Sequence, residues 1–76
     1  MLRYQLVTEQ NNWPEPHVSS VVEGKEEVRE SLETEAHLHR AFGWTVTATD
    51  DAVVCSRGGI VRVITYRAFT PMNDSI

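Results

Sequence analysis

Residues 44–66 read WTVTATDDAVVCSRGGIVRVITY, and the fold turns on how this stretch pairs with itself. From Trp44 to Thr49 the residues alternate at period two, the repeat of a half-buried strand. Asp50-Asp51 supplies a two-residue hairpin turn. That turn sets Thr49 opposite Ala52, Ala48 opposite Val53 and Val46 opposite Cys55. Trp44, Val46, Ala48, Val53 and Cys55 then share one face, and Thr45, Thr47 and Thr49 the other.

The second reversal, around Arg57-Gly58-Gly59, admits two registers. A two-residue Gly58-Gly59 loop pairs Cys55 with Arg62 and sets a charge on the apolar face. A three-residue loop, Arg57 to Gly59, pairs Ser56 with Ile60, Cys55 with Val61 and Val53 with Val63. A one-residue slip turns every side chain to the opposite face, so burial is the criterion, and it selects the three-residue loop. Val54, Arg62, Ile64 and Tyr66 are then expected on the outer face. Residues 60–69 are expected at the edge of the sheet, where unpaired backbone invites a partner strand.

Upstream, the period changes to that of a helix. The helix is expected to start between Ser20 and Gly24 and to run to Phe42, with Gly43 as its left-handed stop. Val28, Leu32, Ala36 and Phe42 project onto one stripe, with Leu38 at its margin. Glu26, Glu30, Glu33 and His37 fall on the opposite side. Acidic residues crowd the first turns, and His37, His39 and Arg40 the last, as the helix dipole favours. Residues 2–8 alternate as a first strand, with Leu2, Tyr4, Leu6 and Thr8 on one face. Residues 9–20 contain Trp13-Pro14-Glu15-Pro16, where two prolines remove amide donors, and are expected to form a loop. Residues 70–76 are expected to be a frayed tail. The expected architecture is a single α+β domain over residues 1–76, β-α-β-β-β, with one amphipathic helix on a mainly antiparallel four-stranded sheet.

Composition narrows the function classes. The chain has 76 residues and a formal net charge of −4. A chain this short buries only about 60% of its unfolded surface, so its stability is marginal and a partner adds to it. Residues 23–35 hold six Glu against Lys25 and Arg29, so the acidic excess is concentrated on the helix. Such a middle lacks the basic stripe that releases counterions from a phosphate backbone, and nucleic-acid binding ranks last. Cys55 is the one cysteine, so no internal disulfide forms. No signal peptide and no apolar run of about 20 residues is present, so a cytoplasmic protein without a membrane span is expected. Six Arg against one Lys is the bias of GC-rich genomes, and short chains of this kind are frequent in phages and mobile elements. An accessory protein of such an element in a GC-rich bacterial system is the expected setting.

Few residues carry chemistry. Glu35 and His39, at i and i+4, project near the middle of the apolar stripe, where burial would perturb both and fit them for acid–base work. The alternative is that they sit at the core's edge beside Arg62 or Arg67. His37 and His39 point about 160° apart on a helix and cannot share an ion, and Glu33 with His37 lacks a third ligand, so no metal is expected. Cys55 is expected as a buried structural thiol, and Gly58-Gly59 as a turn without the lysine or helix of a phosphate loop. Trp13 is either an anchor folded over the sheet or an exposed anchor for a partner.

One helix, about 10 Å across, is narrower than a four-stranded sheet of roughly 15–20 Å, which leaves apolar area for another molecule. The expected function is therefore a small non-catalytic protein–protein interaction module without a cofactor. It would act as a homo-oligomer or by docking on a larger partner, through Trp13, Ile64, Tyr66 and the acidic Glu26, Glu30 and Glu33. The rival is a small ligand-binding protein or enzyme built on Glu35 and His39. The third is a nucleic-acid regulator, which would need Arg57, Arg62 and Arg67 in one patch.

Overall fold

The computed structural model describes residues 2–69. In chain order its elements are β1 (Arg3–Gln10), β2 (His17–Glu23), α1 (Gly24–Ala41), β3 (Thr45–Ala48), β4 (Val53–Arg57) and β5 (Ile60–Ala68). The strands form one antiparallel sheet in the order β2-β1-β5-β4-β3. The single helix packs on one face of it, so the fold is α+β with five strands rather than the expected four.

The extra strand is β2. Its residues were expected partly as loop and partly as the helix start. It pairs with β1 through Val7 and Val18, Gln5 and Val21, and Tyr4 and Val22, with an irregularity between the first two pairs. There the Ser19 hydroxyl accepts from the Leu6 N–H at 2.9 Å and donates to the Ser20 carbonyl at 2.9 Å. A bulge shifts the alternation by one residue, which hides the period of two from a reading of the sequence. The loop between β1 and β2 shrinks to residues 11–16. The tail expected to fray, residues 70–76, lies outside the described residues.

The hairpin of β3 and β4 forms as expected: Val46 faces Cys55, Ala48 faces Val53, and the Thr49 N–H donates to the Ala52 carbonyl at 2.8 Å. The next hairpin corrects the expectation. Arg57 pairs with Ile60, Cys55 with Arg62 and Val53 with Ile64, so the loop is the two-residue Gly58-Gly59. Both glycines have positive φ, 57° and 86°, the two left-handed residues that a tight hairpin of right-handed twist requires. The turn chemistry thus outweighs the charge on the inner face. Ile64 and Tyr66 consequently face the helix, and Val61 and Val63 face outward. A second correction concerns β5, which is central: it pairs with β1 from Tyr4 opposite Ala68 to Gln10 opposite Arg62. The sheet edges are β2 and the short β3.

The helix begins with Glu27 reaching back one turn to accept the Glu23 N–H at 2.8 Å. It stops at Gly43, φ 89°, where the Gly43 N–H bonds the Arg40 carbonyl and the Trp44 N–H bonds the His39 carbonyl at 2.9 Å. This paired C-terminal closure folds the chain back on the last turn and sets Trp44 against His39. Val28, Leu32, Ala36 and His39 are the buried helix residues, packed over Tyr4, Val53, Cys55 and Ile64. Phe42, expected on the buried stripe, is instead 68% exposed, because the stripe passes through His39 and Phe42 lies beyond the helix as its cap.

The register is directly testable. Ile64 is 2% exposed, so Ile64→Ala should cost about 2–4 kcal/mol in chemical denaturation, and Thr65→Ala on the outer face less than about 1 kcal/mol. The reverse order would restore the three-residue loop.

Candidate functional site

Arg62 is the centre of a polar cluster on the inner face. Because β5 pairs with β1 and β4 in this register, Arg62 stands between Gln10 and Cys55 at the C-terminal end of the helix. Its Nε donates to Gln10 Oε1 at 2.7 Å, and a terminal nitrogen donates to His39 Nε2 at 2.9 Å. Its guanidinium carbon lies 4.6 Å from the Trp44 ring centre and 5.4 Å from that of Trp13, so both tryptophans of the chain flank one cation. A partly desolvated cation over an aromatic face contributes about 0.5–2 kcal/mol. Trp44 in turn meets the His39 ring edge-on at 5.2 Å.

A guanidinium has donors and no acceptor, so His39 Nε2 accepts from Arg62. Nδ1 then carries the proton and donates to the Glu35 backbone carbonyl at 2.7 Å. The Glu35 carboxylate stands 3.7 Å from Nδ1, outside hydrogen-bond range. Glu35 and His39 are therefore neighbours, as their spacing requires, but the close contact runs through the backbone. Both ring nitrogens are engaged within the protein: the Nδ1 proton goes to the Glu35 carbonyl and the Nε2 lone pair to Arg62. The arrangement holds Arg62 in place.

Around this cluster lies an apolar rim. Phe42, 68% exposed, and Leu38, 45% exposed, sit one turn apart and join Glu35, His39, Trp44 and Arg62 around a cleft of about 250 Å³. Trp13, 37% exposed, lies outside this cleft, with its ring on Arg62 and its loop bordering a separate depression with Gln10 and Pro14. Trp13 thus packs on Arg62 of the sheet and is still partly exposed.

The other expected partner residues are dispersed. Glu26, Glu30 and Glu33 are exposed on the outer side of the helix. Leu38, His37, Glu30 and Glu33 border a shallow depression, so this acidic strip is continuous with the apolar rim. Ile64 and Tyr66 are not on the outer face as expected. Ile64 is buried in the core, and the Tyr66 ring meets Tyr4 edge-on at 5.6 Å. The Tyr66 hydroxyl donates to Asp51 Oδ1 at 2.9 Å, and Lys25 Nζ lies 5.2 Å from the ring centre. The Tyr66 hydroxyl as a hydrogen-bond partner raises the pKa of the Lys25 ammonium. Tyr66 ties the first turn of the helix to the β3–β4 turn.

Cys55 is fully buried; burial pushes its thiol up, and nearby Arg62 partly offsets this. Of the three arginines that a nucleic-acid face would need, Arg57 donates to the Phe42 carbonyl at 3.0 Å and Arg62 to His39, while Arg67 lies on the outer face beside Gln5. They form no common patch. Among the described residues no three His, Cys, Asp or Glu side chains are grouped to hold a metal ion, and no helix is long and apolar enough to cross a membrane.

Arg62 as the hub, and the exposed pair Leu38 and Phe42, were not foreseen from sequence. The signal was present in Gly58-Gly59, whose preferred tight turn puts Arg62 inward. Compared with protein families, curated proteins and solved structures, the chain matches none of them.

Two measurements check the cluster. Arg62→Lys keeps the charge but loses the planar fork and the stacking, and should cost about 1–3 kcal/mol and shift tryptophan emission. An unchanged melt and spectrum would contradict the clamp. The Cys55 thiol, buried and with its ionisation suppressed, should react with a disulfide reagent only as fast as the chain unfolds. Rapid modification of the folded protein would contradict that burial.

Proposed function

We propose that this chain is a small non-catalytic interaction module that docks on a larger protein through the rim of Trp13, Leu38, Phe42 and Trp44 around Arg62. The observation that carries this reading is the exposure of Phe42 and Leu38 beside a fixed arginine and two tryptophans. Tryptophan and arginine dominate the energetic centres of protein interfaces, where a rigid anchor loses little side-chain entropy on binding. The Arg62 cluster is already rigid, held on four sides. The cleft it borders accepts one apolar side chain of a partner. The adjoining Glu26, Glu30 and Glu33 select for Lys or Arg flanking that anchor, consistent with the net charge of −4. The rival, a ligand-binding or catalytic use of Glu35 and His39, is less well supported because both His39 nitrogens are occupied.

The test places a photo-crosslinking residue at the exposed Ala41, beside the rim, and captures partners from the native host. Leu38→Asp should reduce capture of the crosslinked protein at least tenfold (about 1.4 kcal/mol or more) without changing the circular dichroism. Capture that survives both Leu38→Asp and Phe42→Asp in folded protein would remove this surface from consideration.

A further inference from the structure

The opposite side of the sheet carries a second, unrelated surface. Strand alternation sets Val7 on β1, Val18 and Val21 on β2, Val54 on β4, and Val61 and Val63 on β5 facing outward, with Thr45, Thr47, Ser56 and Thr65 among them. The helix covers only the other face, and no described segment crosses this one. Val54 is 38% and Val61 40% exposed.

We infer that two copies of this chain pair face to face across this valine surface, forming a helix-sheet-sheet-helix sandwich. The inference goes beyond the docking role and does not depend on the Arg62 rim. Its first support is composition. The centre of the face is mostly Val and Thr, with Gln5 and Ser56 among them, and the one aromatic residue near it among the described residues, Phe69, lies past the end of β5 beside Gln5 and Arg67. That is the composition of a sandwich core cut in half, as in permanent homodimers, whereas anchors for foreign partners favour Trp, Tyr and Arg over Val.

Charge is the second support. The face carries Arg3 and Arg67 against Glu9 and Glu23, with Arg3 and Glu23 paired at 3.7 Å, so it is neutral in sum. The chain's net −4 resides elsewhere, chiefly on the helix, and in the sandwich the two acidic helices point away from each other. A second copy therefore meets this face without electrostatic penalty. Arg67 and Glu9 also lie four residues apart along the pairing of β1 and β5, so a two-fold that reverses strand direction can bring unlike charges together.

Area is the third. Five strands about 4.8 Å apart and about 17–20 Å long give a face on the order of 450 Å² in projection. With side-chain relief this is roughly 700 Å² of accessible surface per copy. The pair would bury about 1,400 Å², within the range of stable complexes. Among the described residues the inner core holds seven buried apolar side chains, so a second core is a large addition to it.

The test is sedimentation velocity across a dilution series. The protein should sediment as twice its 8.6 kDa mass at about 100 µM and dissociate on dilution. Val54→Lys with Val61→Lys should raise the dissociation constant at least 100-fold while circular dichroism stays unchanged. If that pair unfolds the chain, Thr47→Arg on the same face, at an exposed edge strand, should weaken the dimer with the fold intact. Phe42→Asp on the rim should leave the dimer unaltered. A monomer at every concentration, or a dimer indifferent to all the outer-face substitutions, would overturn the inference and leave the docking role standing. A dimer lost only with Phe42→Asp would place self-association on the rim and equally overturn it.

Discussion

The fold depends on holding one arginine on the face where the core lies. An unpaired guanidinium among apolar side chains carries a desolvation cost of several kcal/mol. Arg62 avoids most of it by standing at the end of the sheet, where its stem lies inward and its fork finds fixed acceptors. Gln10 and His39 accept two of its N–H groups, and its guanidinium lies over the rings of both Trp44 and Trp13. Each partner comes from a different part of the chain: the end of β1, the last helical turn, the helix stop and the β1–β2 loop. The polar contact thereby fixes the relative placement of elements that apolar packing alone would leave free to slide. A cluster of this kind is high in stakes, since removing one member strands the rest.

The helix closure and the Arg62 cluster reinforce one another. Gly43 in the left-handed region turns the backbone so that Trp44 returns to His39, and His39 in turn presents Nε2 to Arg62. Arg57 adds a third tie by donating to the Phe42 carbonyl, one of the acceptors the ending helix leaves open. At the other end, Lys25, Tyr66, Tyr4 and Asp51 make a separate polar-aromatic contact between the first helical turn and the sheet. Between these two ends the true core is only a short stripe of Val28, Leu32 and Ala36 over Val53, Cys55 and Ile64. The chain thus supplements a small apolar core with a cluster at either end of its helix.

What the sequence disclosed, and what it hid, follows from which interactions are local. The helix and its stop at Gly43 were legible because period and capping are local properties, and the β3–β4 register followed from a two-residue turn with clean alternation. The β4–β5 register was misjudged because an average preference for apolar burial was set above the stricter demand of the turn. Burial of Arg62 is tolerable only through Gln10, Trp13 and His39, which are distant in sequence. β2 was missed because the bulge at Ser19 breaks its period and because its partner β1 lies across a loop with two prolines. The central place of β5 follows from its own pairing with β1, which is equally distant in sequence. His39 was read either near the middle of the apolar stripe or at the core's edge beside Arg62 or Arg67, and in the structure it is buried and bonded to Arg62. The exposed Phe42 was placed on the buried stripe because the helical projection was extended one residue past the point where the chain leaves the helix, and Leu38, read at the margin of that stripe, is 45% exposed.

The two surfaces have opposite physical characters, in keeping with the different tasks proposed for them. The rim around Arg62 is aromatic, charged, rigid and small, which suits recognition of one side chain of a foreign protein. The outer face is flat, aliphatic and electrically balanced, and offers area without distinguishing marks. An exposed face of that sort is an aggregation hazard unless it is occupied. A sandwich of two copies removes the hazard and leaves both rims free, because each lies on the helix side of its own sheet. Two rims on one rigid body would then engage a partner bearing two sites with an effective concentration well above that of free monomers. Weak binding at each cleft of about 250 Å³ would suffice for a stable assembly. On this view the valine face sets how many anchors act together, and the arginine clamp sets what each anchor accepts.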